Sequence, residues 1–344
     1  MKPILGTLFH AVGGLAAASF YIPYSKVKDW PWELYWLVGG IFAWLVAPFI
    51  LITVTLESPL VILTSLSIKA VALPYIFGLL WGVGGLTFGL TMRYLGVGLG
   101  MAIALGLTAV FGTLIPPIAN GLMQQLVNTT DGQITLIGIF IGVVGIAVVG
   151  RAGIKKDKEL GSRGNASILE FNLKKGMLVA FFSGIMSACF AFGIAAGEEI
   201  VEASKAAGSP PLFVNSLLFG VIMLGGLTVN VFYCMFMLVK KEYFKTNNIW
   251  TPGWIRNLVL CIVAGFTWYS QFLFYGMGST QMGEYDFASW SLHMSFIIIL
   301  SNAWGLKMKE WKGVSNNVGW ILISGLIVLI ISTIIIGSAQ LIAK

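Results

Sequence analysis

The chain reads as an all-α integral membrane protein whose ten transmembrane helices form two inverted five-helix repeats, with both termini periplasmic. Three observations predict this. The sequence divides into ten long stretches free of Asp, Glu, Lys and Arg, its basic residues gather in every second connection, and one polar segment separates five stretches from five.

Composition sets the class. Of the 344 residues, 57% are hydrophobic and 10% charged, whereas an ordinary soluble domain carries roughly 25% charged residues. A helix crossing a hydrocarbon core of ~30 Å needs about 20 mostly apolar residues. Ten windows satisfy this: Pro3 to Ser25, Leu34 to Leu56, Ala70 to Met92, Tyr94 to Thr130, Gly132 to Gly150, Gly176 to Gly197, Ala206 to Val239, Asn257 to Gly283, Phe287 to Leu306 and Gly313 to Ala343, the shortest of 19 residues. Three exceed 30 residues, and each is expected to hold one helix with polar or kinked flanks. Those flanks are Pro116-Pro117 through Asn128, Gly208 to Pro211, and Ser315 to Asn317. The apolar start at Met1 lacks a basic flank and a small-residue cleavage site, so it reads as a span rather than a cleavable signal peptide.

Charge orients the spans. The connections after spans 1, 3, 5, 7 and 9 hold 17 of the 21 Lys and Arg, leaving Lys2, Lys69, Lys205 and Lys344 on the other side. The positive-inside rule makes the basic side cytoplasmic, which puts both termini outside. This bias accounts for the net charge of +7, so no nucleic-acid partner is invoked.

The polar segment at 151–175 is expected to be a cytoplasmic loop joining a first repeat at 1–150 to a second at 176–344. Five spans per half is an odd number, so the halves insert upside down relative to each other. Gly14-Leu-Ala-Ala-Ala-Ser-Phe20 resembles Gly184-Ile-Met-Ser-Ala-Cys-Phe190 at an offset of 170, although small residues and Phe are common in any membrane helix. The pairs Gly85 with Gly89, Gly96 with Gly100 and Gly138 with Gly142 fit close helix packing, and they are compatible with one bundle rocking against another. Cys189, Cys234 and Cys261 lie inside spans without metal spacing and read as small packing residues.

An ionisable group inside the bilayer costs on the order of 2.5 to 3.5 kcal/mol, so each one needs a reason. The richest stretch is Glu284 to Phe296, where helical spacing gathers Asp286, Ser289, Trp290 and His293 on one face. A carboxylate, an indole and an imidazole on one intramembrane face suit a sugar: polar groups hold hydroxyls while an aromatic plate covers the apolar ring face. The same residues admit a structural reading, with Asp286 capping the helix, Trp290 in an interfacial belt and His293 packed. The eighth span offers Trp268, Gln271 and Tyr275, and the first offers His10, Gly14, Ala17 and Tyr21. His10 and His293 each lie about 7 residues into their helices, about 10 Å below the outer surface at ~1.5 Å per residue, which points to one cavity. Glu33 is expected to complement its helix dipole or pair with Lys26 or Lys28, and Arg93 to anchor the third span.

Absences narrow the function. No Lys or Arg lies within any window, which argues against a phosphate or other strongly anionic substrate. The first span holds no carboxylate, and no zinc-protease motif, aspartate pair or Gly-rich phosphate loop occurs. Nothing supports an enzyme, a metal or a cofactor.

Several stretches together carry a family resemblance: His10 with Phe20-Tyr21 and Lys26-Val-Lys28, Trp32-Glu33, Gly89-Leu-Thr-Met-Arg-Tyr-Leu-Gly96, Phe171-Asn-Leu-Lys-Lys-Gly176, Tyr285-Asp286, Ser289-Trp290, Leu292-His-Met-Ser-Phe296 and Lys309-Glu-Trp311. Over nearly the whole chain the sequence resembles the L-rhamnose:proton symporter family, within the drug/metabolite transporter superfamily of ten-helix inverted-repeat carriers. The resemblance implies a multi-pass protein of the bacterial inner membrane that takes up L-rhamnose, a neutral 6-deoxyhexose, with a proton. The expected mechanism is alternating access around a midplane-to-outer cavity. Asp286 is the leading proton acceptor, and His10 and His293 are relay or sugar-contact residues. Trp290, Ser289, Trp268, Gln271, Tyr275 and Tyr21 are the expected sugar residues. Departures at Glu57 to Lys69, Asn120 to Gln133 and Lys155 to Arg163 fall mostly in connections and bear on fine sugar preference. The alternatives are a carrier or exporter of another neutral metabolite and a non-transporting membrane sugar sensor. Sodium stays open as the coupling ion, though no obvious oxygen-rich cluster favours it. The oligomeric state is not legible.

Overall fold

The computed structural model describes residues 2–95, 97–160, 172–246, 252–283, 286 and 288–342, with only the backbone described at 2, 92–93, 97–102, 157, 173, 246 and 340–342. Among these residues the protein is all-helical. Ten long helices follow one another: α1 Lys2–Ser19, α2 Trp32–Thr55, α3 Ile68–Leu95, α4 Val97–Ala119, α5 Thr130–Leu160, α6 Leu173–Ala195, α7 Ser216–Lys240, α8 Trp254–Met282, α9 Ala288–Lys307 and α10 Asn316–Ile342. Eight candidate spans are long and apolar enough to cross a membrane, and α4 contributes a shorter apolar run at Ile103–Ala119. The remaining long helix, α9, is diluted by Ser289, Ser291, His293 and Ser295, all of which are buried against protein.

The three long windows each hold one membrane-length helix. After α4 the chain makes a short helix at Met123–Asn128, and before α7 it makes a helix at Glu198–Ala206 and a 3₁₀ turn at Pro211–Phe213. Two boundaries differ from expectation. The polar segment at 151–175 is not wholly loop, because α5 continues to Leu160 and α6 begins at Leu173. There the Asn172 side chain accepts from the Lys175 backbone N–H and caps α6. Charged residues such as Lys155 and Lys158 are good helix formers, so polarity alone does not end a helix.

α2 is interrupted by a π-helical turn at Phe42–Val46. Pro48 has no N–H to give the carbonyl of Trp44 four residues earlier, and the helix widens immediately before it. In that turn the Ala47 N–H reaches the Phe42 carbonyl.

Helix packing follows a pattern that repeats on a shift of five helices. α1 packs on α8 and α9, as α6 packs on α3 and α4. α2 meets α8 as α7 meets α3, α4 meets α5 as α9 meets α10, and α5 pairs with α10. Gly14 and Gly184, the matched glycines of the sequence echo, occupy equivalent contacts. A Cβ on Gly14 would lie 2.7 Å from Phe296 on α9, and one on Gly184 would lie 2.5 Å from Leu107 on α4. Gly138 and Gly142 sit against α10 at Ile336 and Ser332, as expected. Gly85 and Gly89 do not pack: open space faces both. Gly96 lies outside the described residues, and the side of α4 at Gly100 is not described. The three cysteines are free and buried.

The centre of the bundle is aromatic. Trp44, Phe190, Phe219, Tyr269, Phe272, Tyr275 and Trp290 belong to one buried cluster drawn from both halves of the chain. At the basic end, Glu33 pairs with Lys241 at the end of α7 at 2.6 Å, not with Lys26 or Lys28. The packing of α2 along α7 brings that lysine over the start of α2. Asn257 holds the backbone of Lys28 in both directions, accepting from its N–H at 3.3 Å and donating to its carbonyl at 2.6 Å.

Candidate functional site

Asp286 occupies the turn between α8 and α9. Gly283 ends α8 with a φ of 61°, a left-handed conformation that glycine adopts without strain. The Asp286 N–H donates to the Gly283 carbonyl at 3.2 Å, and the Ser289 N–H donates to the Asp286 carbonyl at 2.8 Å. The Ser289 hydroxyl donates to Asp286 Oδ1 at 3.0 Å, and Ser279 on α8 supplies a second hydrogen bond to the carboxylate. Burial raises the Asp286 carboxyl above its ordinary value, against the opposing pull of these two hydroxyls. Glu284, Tyr285 and Phe287 lie outside the described residues.

The half-buried Asp286 side chain lines a cavity of about 540 Å³ together with Lys205, Ser209, Asn215, Ser279 and Thr280. That volume suits a small polar molecule. Ser209 and Asn215 come from the segment between α6 and α7, which folds over the end of α8. The Ser209 hydroxyl is buried without a partner, and Asn215 Nδ2 donates to the Gly276 carbonyl at 3.3 Å. None of Lys205, Ser209, Asn215, Ser279 and Thr280 stood out in the sequence as a site residue. Their signal is weak there, because isolated Ser, Thr and Asn at helix ends usually serve as caps.

Beneath Asp286 the two histidines and a tyrosine form a compact group. His10 on α1 and His293 on α9 have ring centroids 5.9 Å apart, and each lies 5.3 Å from the ring of Tyr275 on α8. Both imidazoles are fully buried, at 0% and 1% exposure. Two glycines make this room. A Cβ on Gly278 would come within 2.8 Å of His10, and one on Gly13 would come within 3.0 Å of His293. Among the described residues neither imidazole has a side-chain hydrogen-bond partner. Buried polar groups are ordinarily paired, so two buried imidazoles without side-chain partners make this group a candidate site.

Trp290 joins this group through Tyr275, at 5.9 Å, and stacks on Phe190 at 5.9 Å and 18°. Its indole N–H donates to the Thr108 carbonyl of α4 at 3.1 Å, and Gly112 lies beside the ring. Trp290 therefore ties α9 to α4, and its donor is already engaged. Trp268 belongs to the adjoining aromatic cluster with Trp44, Trp81 and Phe272. Gln271 is buried on α8 between Trp268 and Tyr275. Tyr21 stands apart: it is 48% exposed beyond the end of α1, with its hydroxyl 3.4 Å from that of Tyr35. It lies in the helical turn Tyr21–Tyr24 that continues the α1 span, eleven residues beyond His10 and so about 16 Å from it along the helix.

Residues 2–341 match the family model described as the L-rhamnose-proton symport protein. Similar proteins include the L-rhamnose-proton symporter of Escherichia coli O1:K1 / APEC, 37% identical over 337 residues that cover 97% of each chain. That of Cronobacter sakazakii is also 37% identical, over 97% of this chain and 96% of its own. That of Salmonella paratyphi B is 38% identical, over 97% of both.

Proposed function

Because the chain belongs to the L-rhamnose-proton symport family, we propose that it carries L-rhamnose across the bacterial inner membrane in symport with a proton. The observation that carries this reading is Asp286 at the wall of a 540 Å³ cavity, hydrogen-bonded to Ser279 of α8, one turn beyond the Tyr275 that packs on both His10 and His293.

In this mechanism the cavity admits the sugar, and Ser209, Asn215, Ser279 and Thr280 offer hydroxyl and amide partners to it. Asp286 takes a proton from the outer side. Neutralising it removes the cost of carrying a charge through a low-dielectric interior, so the loaded site can change access. The histidine pair receives the proton or holds sugar hydroxyls, and Trp290, Ser289, Trp268, Gln271 and Tyr275 complete the surroundings. Tyr21, exposed at the other end of α1, belongs to the inner surface of the carrier.

Ten spans in two inverted five-helix halves, with both termini outside, are the architecture proposed for this cycle. The packing that repeats on a shift of five helices supports it, as do the equivalent contacts of Gly14 and Gly184 and the basic residues on alternate connections. Alternating access would then be one half rocking on the other. The chain acts as a transporter and not as an enzyme.

The energetics suffice. One proton crossing 100 mV supplies ~2.3 kcal/mol, enough for roughly 50-fold accumulation before any pH difference is counted. The test is uptake of labelled L-rhamnose into proteoliposomes with and without an imposed inward proton gradient. Accumulation that collapses with an uncoupler is expected. Saturable uptake indifferent to the gradient would remove the coupling, and no uptake would remove the sugar.

A further inference from the structure

Three tryptophans meet at the face between the two halves of the chain. Trp44 on α2 lies edge to face against Trp268 on α8 at 5.4 Å and against Trp81 on α3 at 6.4 Å, and Trp81 is 5.7 Å from Trp268. Trp268 precedes Tyr275 by two turns of α8, about 10 Å at ~1.5 Å per residue, so this group lies on the basic side of the histidine pair.

The indole N–H groups of this interface are not equivalent. Trp36 donates to Asn230 Oδ1 at 3.0 Å, and Trp290 donates to the Thr108 carbonyl. Trp44 is only 5% exposed, and among the described residues its Nε1 has no partner. A buried donor left unpaired is among the costlier defects an interior can hold, and a phenylalanine would fill the same space without it. The backbone around Trp44 is also unusual. It sits within the π-helical turn before Pro48, and such turns are frequent at functional sites. The six-membered edge of the indole lies over Gly40, 2.5 Å from where a Cβ would stand, so the N–H edge turns away from that residue. Trp81 and Trp268 are only half-buried, which leaves ring surface available. Gln271, one turn beyond Trp268, adds a buried amide.

Building on the carrier assignment, we propose that Trp44, Trp81 and Trp268 form a second sugar subsite on the cytoplasmic side of the histidines. The rings cover the apolar face of a neutral deoxyhexose, and the Trp44 N–H donates to one hydroxyl. Aromatic plates with one placed donor suit such a sugar, whose C–H face and methyl group are apolar while its hydroxyls require partners.

The experiment compares wild-type protein with Trp44→Phe for binding of L-rhamnose and each of its monodeoxy analogues, read by intrinsic fluorescence and by counterflow in proteoliposomes. Wild type should bind one analogue about tenfold more weakly than L-rhamnose, and Trp44→Phe should bind those two equally. A variant that keeps the discrimination, or loses affinity for every analogue alike, overturns the assignment of the donor. Trp268→Phe shrinks a wall while keeping the donor, so it should weaken all analogues together with the discrimination intact. Unchanged affinity there overturns the subsite even if Trp44→Phe does not fold. A wild type that binds other neutral sugars but no L-rhamnose overturns the carrier assignment itself.

Discussion

His10 and His293 meet with their rings at 65°, centroids 5.9 Å apart, although they sit on the first and ninth of the ten long helices. The ring of Tyr275 lies at the same 5.3 Å from both, so the three aromatic groups make one contiguous unit. Both imidazoles are fully buried, which makes this unit the relay proposed for a proton leaving Asp286.

We predict that His10→Gln and His293→Gln each bring sugar accumulation close to unity from the roughly 50-fold that 100 mV sustains. Residues in contact are not additive, so the double variant should be scarcely worse than either single one. Uphill uptake at fixed membrane potential measures this. A double variant that loses far more than both singles would mean that the imidazoles act independently.

A second prediction concerns pH. Burial holds the Asp286 carboxyl above its ordinary value, so it keeps its proton at pH values where an exposed aspartate is already ionised. Uptake should therefore be strong at acidic external pH and fall as pH rises through that raised pKa. Ser289→Ala removes a hydrogen bond to the ionised form, which raises the pKa further and moves the fall to higher pH. Asp286→Asn cannot titrate: its counterflow should be flat over this range and its uphill accumulation absent. Initial rates against external pH decide the matter, and a shift to lower pH in Ser289→Ala would contradict it.

Glycine spacing leads to a third prediction. A Cβ on Gly78 would overlap the Ile222 carbonyl on α7, where backbone cannot yield, whereas nothing lies within 4 Å of one on Gly85. Gly78→Ala should destabilise by about 1–3 kcal/mol. Gly85→Ala should be neutral or stabilise by up to ~1 kcal/mol through helix propensity. Thermal unfolding of the two variants in detergent gives the comparison, and equal losses would sink it.

These residues also show what a sequence can and cannot convey. The histidine pair was legible because helices have a fixed rise, so equal depth from one surface carries over into proximity. Ser289, Trp290 and His293 do fall on α9, but Asp286, expected on the same helical face, lies in the turn before the helix and reaches it through its hydrogen bond with Ser289. Tyr21 was grouped with His10 by helical spacing, and the span does continue to Tyr24, but eleven residues of rise, ~16 Å, separate the two. Gly85 and Gly89 have the spacing of a packing stripe. Only the rotation of α3 about its axis, which tertiary contacts decide, turns them to open space. Trp44 looked like one more apolar residue, since its unpaired donor exists only once three helices close around it.

The last prediction rests on a partner that local sequence could not identify. Glu33 is 208 residues from Lys241, yet the pair is 2.6 Å apart, with Glu33 buried and Lys241 about half exposed. Among the described residues Glu33 Oε2 has no hydrogen-bond partner. With the Asn257 bonds to Lys28, this pair fastens the starts of α2 and α8 to the end of α7 at the basic end of the bundle. Cys234 and Cys261 lie fully buried on α7 and α8, and the Cys234 thiol is within electrostatic reach of Glu33. If this end must open for sugar to leave, loosening the pair should expose the thiols. An ion pair with one partially exposed member is worth about 1 kcal/mol, so Glu33→Gln should raise the open fraction about fivefold. Maleimide labelling from the basic side should quicken by that factor, with Cys234→Ser and Cys261→Ser identifying the thiol concerned. Lys241→Ala should act in the same direction, and the two together should add little. Labelling as slow as in the wild type would show that the pair braces α2 against α7 without closing the basic end.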